Sequence, residues 1–142
     1  MHLLIYSVGR SRAVVWQQLC DEYLSRIRHY TRCDIFELKD DGELARKWPN
    51  GDVVIALEVE GKHYSSTEFA RSLERWGSQG KGQICLVIGG AEGIPKELSK
   101  KAHQHVSLSS MTLPHRLAKV ILLEQLYRAL SILRGEPYAR ES

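Results

Sequence analysis

The spacing of hydrophobic positions changes several times along this chain, and each change marks an element. Leu3 to Val8 is a short apolar run closed by Gly9, as in a buried strand. After the polar turn Arg10-Ser11-Arg12, the residues Trp16, Leu19, Cys20, Tyr23, Leu24 and Ile27 recur every three or four positions from Val15 on, which predicts one buried helix face. Cys33 to Leu38 alternates apolar with polar, predicting a strand near a sheet edge. Lys39 to Asp52 is polar, with room for one helical turn around Glu43 to Lys47 before the tight turn Trp48-Pro49-Asn50-Gly51. Asp52 to Glu58 is apolar on both faces and predicts a strand inside the sheet.

The second half repeats the alternation. Ser65 and Glu68 have the spacing of a capping box, and Phe69, Ala70, Leu73 and Trp76 give the helix behind it a buried face until Gly77, Gly80 and Gly82 end it. Gln83 to Ile88 is a fourth strand that runs into Gly89-Gly90-Ala91-Glu92-Gly93, where three glycines in five residues let the backbone approach a ligand closely. Pro95 suits the first position of a short helix, and His105 to Leu108 is a weaker fifth strand. Strands alternating with helices predict an α/β domain, residues 1–142, with five or six mostly parallel strands. Ligands gather at the carboxyl ends of such strands, where both the glycine turn and Ser109 to Pro114 fall.

The final helix, expected from about Pro114 to Arg134, is apolar almost all the way round, from Leu117 and Val120 through Leu126 to Leu133. Such a helix must be covered on every side, and a second subunit would do this. Glu124, Arg128 and Ser131 break its surface along a stripe shared with Leu117 and Ile121. On residues alone, an exposed ion pair and a buried charged patch facing a ligand are both open.

Composition narrows the class. With 43% hydrophobic and 26% charged residues in 142 positions, the chain is globular, and no apolar run approaches membrane-spanning length. The N-terminus opens on a strand and not on a signal peptide, so no membrane contact and a cytoplasmic location are expected. Cys20, Cys33 and Cys85 are far apart in apolar surroundings, which offers no zinc or redox motif; buried thiols and no bound metal are expected. The net charge is +3, but from Pro95 onward eight basic residues face four acidic ones, whereas the rest holds twelve against thirteen. That surplus suits a polyanionic partner as well as a solvated surface. No Lys-Ser or Lys-Thr pair follows the glycine turn, so it is not a phosphate loop.

Taken as an ordered set, the residues resemble one family. Val8-Gly9, Leu57, Leu73-Glu74-Arg75-Trp76, Ile88 to Gly93, Leu108-Ser109, Thr112-Leu113-Pro114-His115, Glu124 to Ala129 and Pro137-Tyr138 are similar to the RlmH family, SPOUT-class methyltransferases that modify a pseudouridine of large-subunit (23S) ribosomal RNA. The resemblance spans the chain. It implies a homodimer with a C-terminal trefoil knot, acting on assembled ribosomes with S-adenosyl-L-methionine (SAM) as cofactor. It further implies that Leu57, Gly89, Gly90, Ser109, Ser110, Met111, Thr112, Leu113 and Pro114 line the cofactor pocket. His115, Glu124, Arg128, Tyr138 and Arg140 would form the catalytic, substrate-facing group, with the tail completing the site from the opposite subunit.

The implied acceptor is N3 of the pseudouridine, which must lose its proton before it attacks the sulfonium methyl; a base, or a cation beside the anionic ring, lowers that barrier. One position departs from the family. Its tail continues Pro-Tyr-His, and this chain has Ala139, which removes an imidazole and leaves the proton acceptor open. His115 is compatible with packing at the helix start and with catalysis. His29, His63, His103 and His105 are expected to be structural or on the surface. Arg10, Arg12, Arg116 and Lys119 are candidates for an RNA-facing rim. The rival expectations are another RNA position, such as a ribose 2′-hydroxyl, or an RNA-binding dimer without turnover.

Overall fold

The structure, a computed structural model, describes residues 1–10 and 13–141. Five strands form one sheet in the order β2-β1-β4-β3-β5, and every neighbouring pair is parallel. They are β1 (His2–Val8), β2 (Arg32–Leu38), β3 (Val53–His63), β4 (Gln83–Ile88) and β5 (Gln104–Ser107). The helices are α1 (Val14–Arg28), α2 (Asp41–Arg46), α3 (Ser66–Gly77), α4 (Lys96–Ser99), α5 (His115–Leu133) and α6 (Tyr138–Glu141). The alternating β2 is at an edge, and the doubly apolar β3 is paired on both sides, as their patterns require.

The two faces of the sheet carry unequal layers. On one, α5 packs between α1 and α3, and Leu122, Leu123 and Leu126 are fully buried in a core with Ile5, Ile55, Leu73 and Leu86. On the other, Val54, Cys85 and Val87 meet Leu44 of α2 and Leu98 of α4, two helices of six and four residues. Apolar residues all round α5 are therefore accounted for first by three neighbours within the chain. Burying leucines to this degree stabilises the fold by about 1.5–3 kcal/mol each. Leu126, on that inner side, faces the core and not a second subunit.

Local signals formed as expected at α3, where the Ser65 hydroxyl accepts from the Glu68 amide and the Glu68 carboxylate accepts from the Ser65 amide. Pro95 and Pro114 differ from expectation: each caps its helix in an extended conformation, with ψ of 138° and 142°, and the helices begin one residue later. β3 also continues through the polar stretch Glu58 to Lys62, with a register shift against β5 between Leu57 and Lys62. Gly61 permits this, because a Cβ there would lie 2.7 Å from the backbone of Val106.

After β5, at the far edge, the chain crosses the carboxyl ends of the sheet. His115 at the start of α5 arrives against Gly9 at the end of β1: a Cβ on Gly9, whose φ is +93°, would be 3.3 Å from His115 Nε2. Residues 108–114 thus span the ends of β3 and β4.

Candidate active site

That crossing and the glycine turn enclose a cleft of about 830 Å³. Leu57, Gly89, Gly90, Ser109, Met111, Thr112 and Leu113 line it, together with His115. Ser110 and Pro114 do not: Ser110 is solvent-exposed, and Pro114 serves as the helix cap. The turn is closed by a hydrogen bond from the Gly93 amide to the Gly90 carbonyl, 3.0 Å. Opposite it, the Ser107 hydroxyl donates to the Ser109 carbonyl and the Ser109 hydroxyl accepts from the Met111 amide, both at 2.9 Å. Met111 itself is 77% exposed at the mouth.

Gly89 is required for a different reason from a simple cradle. A Cβ there would come within 2.4 Å of the Gly93 carbonyl carbon and 2.6 Å of the Ile94 amide, so any side chain forces the turn itself open. At Gly90 a Cβ would make only an ordinary 3.4 Å contact with Val8.

Several cleft residues carried no signal in the sequence. Glu58, Glu60, Lys96 and Ser99 also line it, as does Glu92 of the glycine turn itself. Ionisable side chains in the cleft are thus three carboxylates, one ammonium and His115, among the described residues. Lys96 and Ser99 arrive on α4, which packs beneath the strand ends through Leu98, and no local pattern encodes that packing. A smaller cavity of about 130 Å³ adjoins, holding Gly9, Trp16, Glu37, Arg116 and Lys119, and among the described residues His115 alone lines both. Lys119 Nζ is 4.0 Å from Glu37. Arg10 is exposed, and Arg12 lies outside the described residues.

Glu124, Arg128 and Tyr138 do come together, but elsewhere. Arg128 donates to Glu124 Oε2 through Nη2 at 2.8 Å and Nε at 3.1 Å, the Tyr138 hydroxyl donates to the same oxygen at 2.8 Å, and Gln125 donates to Oε1 at 2.8 Å. The Arg128 guanidinium is 5.1 Å from the centre of the Tyr138 ring, which packs on Tyr127 at 4.5 Å. Hydrogen bonding to Glu124 raises the Arg128 pKa, and burial, reinforced by the bond to Glu124, raises that of Tyr138. Arg128 stays cationic and Tyr138 stays a neutral donor at physiological pH. Of the two alternatives for this stripe, a shielded patch is what forms, with Glu124 and Arg128 19% and 20% exposed. Ser131 does not share its surface: it is fully buried and donates to the Arg128 carbonyl. Arg140 is exposed on α6.

Nine and thirteen residues separate Glu124 and Arg128 from His115, about 14 and 20 Å along the helix axis. Ala118, which also lines the cleft, is six and ten residues from Glu124 and Arg128, about 9 and 15 Å along the axis, and neither of them lines the cleft within one chain. Of the remaining histidines, His103 Nδ1 accepts from the Val54 amide at 2.8 Å, a structural role, and His105 meets Glu58 at 3.2 Å beside the cleft.

Known proteins resemble this chain in sequence and in fold. The family described as "Predicted SPOUT methyltransferase" matches residues 1–139. A "Ribosomal RNA large subunit methyltransferase H" from Sorangium cellulosum is 48% identical over 98% of this chain and 99% of its own length. The protein of that name from Bacillus thuringiensis is 38% identical over 97% and 99%. Among solved structures, a "Probable Methyltransferase from Bordetella pertussis Tohama I" superposes with a TM-score of 0.59 at 11% identity, covering 91% of this chain and 96% of the other. The SpoU methyltransferase AviRb from Streptomyces viridochromogenes, solved with AdoMet, gives 0.50 at 12% identity, covering 95% and 61%. With a family match over nearly all its length and relatives at this identity, the chain belongs to the ribosomal RNA large subunit methyltransferase H family of SPOUT methyltransferases.

Proposed function

We propose that the protein transfers the methyl group of SAM to N3 of a pseudouridine in 23S ribosomal RNA, on assembled ribosomes, as a cytoplasmic homodimer. The observation that carries this reading is the gathering of Leu57, Gly89, Gly90, Ser109, Met111, Thr112 and Leu113 around one cleft at the strand ends, in a chain similar over its whole length to proteins named as ribosomal RNA methyltransferases. The lining fits the cofactor. Leu57, Ile88, Leu108 and Leu113 offer apolar walls to an adenine, and a surplus of carboxylates over ammonium groups suits a sulfonium cation and repels a polyphosphate.

Bound SAM supplies a methyl group already activated for transfer, so the chain has mainly to position and to exclude water. Residues 108–114 cover the cofactor side. His115, common to the cleft and the smaller cavity, stands where an acceptor base would meet the cleft and is the candidate to take the N3 proton. Arg128 offers a fixed cation to an anionic ring, and Glu124 and Tyr138 hold its guanidinium in place. Arg140, exposed beside them, adds charge toward RNA, as do Arg10, Arg116 and Lys119.

The roughly 20 Å between Arg128 and its own His115 supports a second copy as the route by which this cluster reaches a cleft. Val14 and Val15 are exposed and Leu117, Val120 and Ile121 half-exposed, an apolar surface that such a copy would cover. The crossing of residues 108–114 past the glycine turn is where a trefoil knot would thread. No helix among the described residues is long and apolar enough to cross a membrane.

Methyl transfer to ribosomes from cells lacking this gene, read by mass spectrometry of digested RNA, tests the proposal. N3-methylpseudouridine should appear. A methyl group on a ribose, or tight cofactor binding with no transfer, would replace it with another specificity or with a binding role.

A further inference from the structure

The cleft has two unlike ends. Leu57, Ile88, Leu108 and Ala118 belong to the apolar side, continuous with the core beneath α5. Because side chains alternate along a strand, Glu58 turns the other way, toward α4. There Lys96 and Ser99, three residues apart on α4, also line the cleft. This end therefore presents the Glu58 carboxylate, with Glu60 two residues further along the same strand, and one ammonium, charges complementary to an amino acid's own ammonium and carboxylate.

Glu58 is held in place from behind. His105, opposite Ala56 on the neighbouring β5, brings Nδ1 to 3.2 Å from Glu58 Oε2 and 3.4 Å from the Ser99 hydroxyl. Glu58 is 19% exposed and His105 40%, so the imidazole is on the outer side of the pair. Among the described residues no donor meets the second oxygen of Glu58, Oε1, which leaves it available to a ligand. A carboxylate with one oxygen fixed by the protein and the other available is oriented before the ligand arrives.

We propose that Glu58 binds the ammonium of the cofactor's methionine end, and that His105 is the residue that positions it. This rests on the cofactor reading above and adds an orientation: adenine toward α5, amino acid toward α4. His105 touches no ligand; it acts through Glu58.

Calorimetry with two probes tests this. SAM carries the amino-acid end, and 5′-methylthioadenosine lacks it but keeps the adenosine and the sulfur. Glu58→Gln should weaken SAM about tenfold, the effect of losing one charge-assisted hydrogen bond, and leave methylthioadenosine within about twofold. His105→Ala should weaken SAM alone, by about threefold, and His105→Asn, which keeps a donor near Nδ1, should restore it. Equal losses for both probes would make the pair structural and overturn the proposal, as would unchanged SAM affinity in both Glu58→Gln and His105→Ala. If wild-type protein binds neither probe, the cofactor reading fails. If it binds both equally, that reading stands and only the assignment of Glu58 and His105 is lost.

Discussion

The cleft and the Glu124 cluster are built on opposite principles. The cleft joins apolar walls and glycine backbone to a few ionisable side chains, and the lining named above comes from one chain. At the cluster both carboxylate oxygens accept hydrogens from Arg128, Tyr138 and Gln125, and the ring of Tyr138 packs at a tilt on Tyr127. The first can admit a ligand without breaking anything. The second is organised already and offers only its outward cation. A donor pocket must open to exchange cofactor, whereas a group that stabilises charge in a transition state gains by being fixed beforehand. On the proposed reading the two regions divide the reaction in that way and meet only between subunits.

Gly89→Val should break the cleft half most severely. Its side chain would have to displace the backbone of Gly93 and Ile94, which a Cβ alone already approaches to 2.4 and 2.6 Å. Loss of SAM affinity by about a hundredfold or more is expected in calorimetry, with cooperative thermal unfolding retained. Unchanged affinity would remove the turn from the pocket.

Arg128→Ala should act on the other half: methyl transfer falls about a hundredfold and SAM affinity changes less than about twofold. Equal losses would place Arg128 in the fold. Mixing the two variants after co-expression sharpens the comparison. If the cluster serves the partner's cleft, each mixed dimer regains one intact site, and about a quarter of wild-type activity returns. If it serves its own cleft, nothing returns.

What could be read from sequence follows how local each signal is. The capping box at Ser65 and Glu68 and the strand entering Gly89 are complete within a few residues, and both formed as read. The extension of β3 through Glu58-Val59-Glu60-Gly61-Lys62 was hidden, because its cause is the absent Cβ of Gly61 against a distant Val106. The cover of α5 was hidden differently. Apolarity on all sides says that neighbours exist and not whether they are α1 and α3 or a second chain. Leu126→Glu would therefore bury a charge in the core and test folding, whereas Ile121→Glu, on the half-exposed side, tests association: monomers in sedimentation with the fold intact. A stable dimer would move the interface elsewhere. The cluster itself was legible as a stripe, but its distance from the cleft was not, since spacing along a helix says nothing of what the helix faces.

The smallest effect lies in the tyrosines around the cluster. Tyr30 donates to Glu136 at 2.7 Å and Tyr138 to Glu124 at 2.8 Å, so ionising either phenol sets an anion against a carboxylate. Burial and these bonds push Tyr30 up to about 12 and Tyr138 higher than its ordinary value. A group whose pKa is raised by folding stabilises the protein fully below its unfolded value, near 10 for tyrosine, and loses that contribution as pH rises through the folded value. The difference in thermal midpoint between wild type and Tyr30→Phe should therefore be constant up to about pH 10 and shrink toward pH 12. Absorbance near 295 nm should show Tyr30 ionising later than a free tyrosine, and Tyr138→Phe should likewise remove a component that titrates later than a free tyrosine. A single ordinary titration for both would mean that these phenols are solvated and that the cluster is looser than its hydrogen bonds indicate. In that case Arg128 would lose the fixed position on which its proposed role depends.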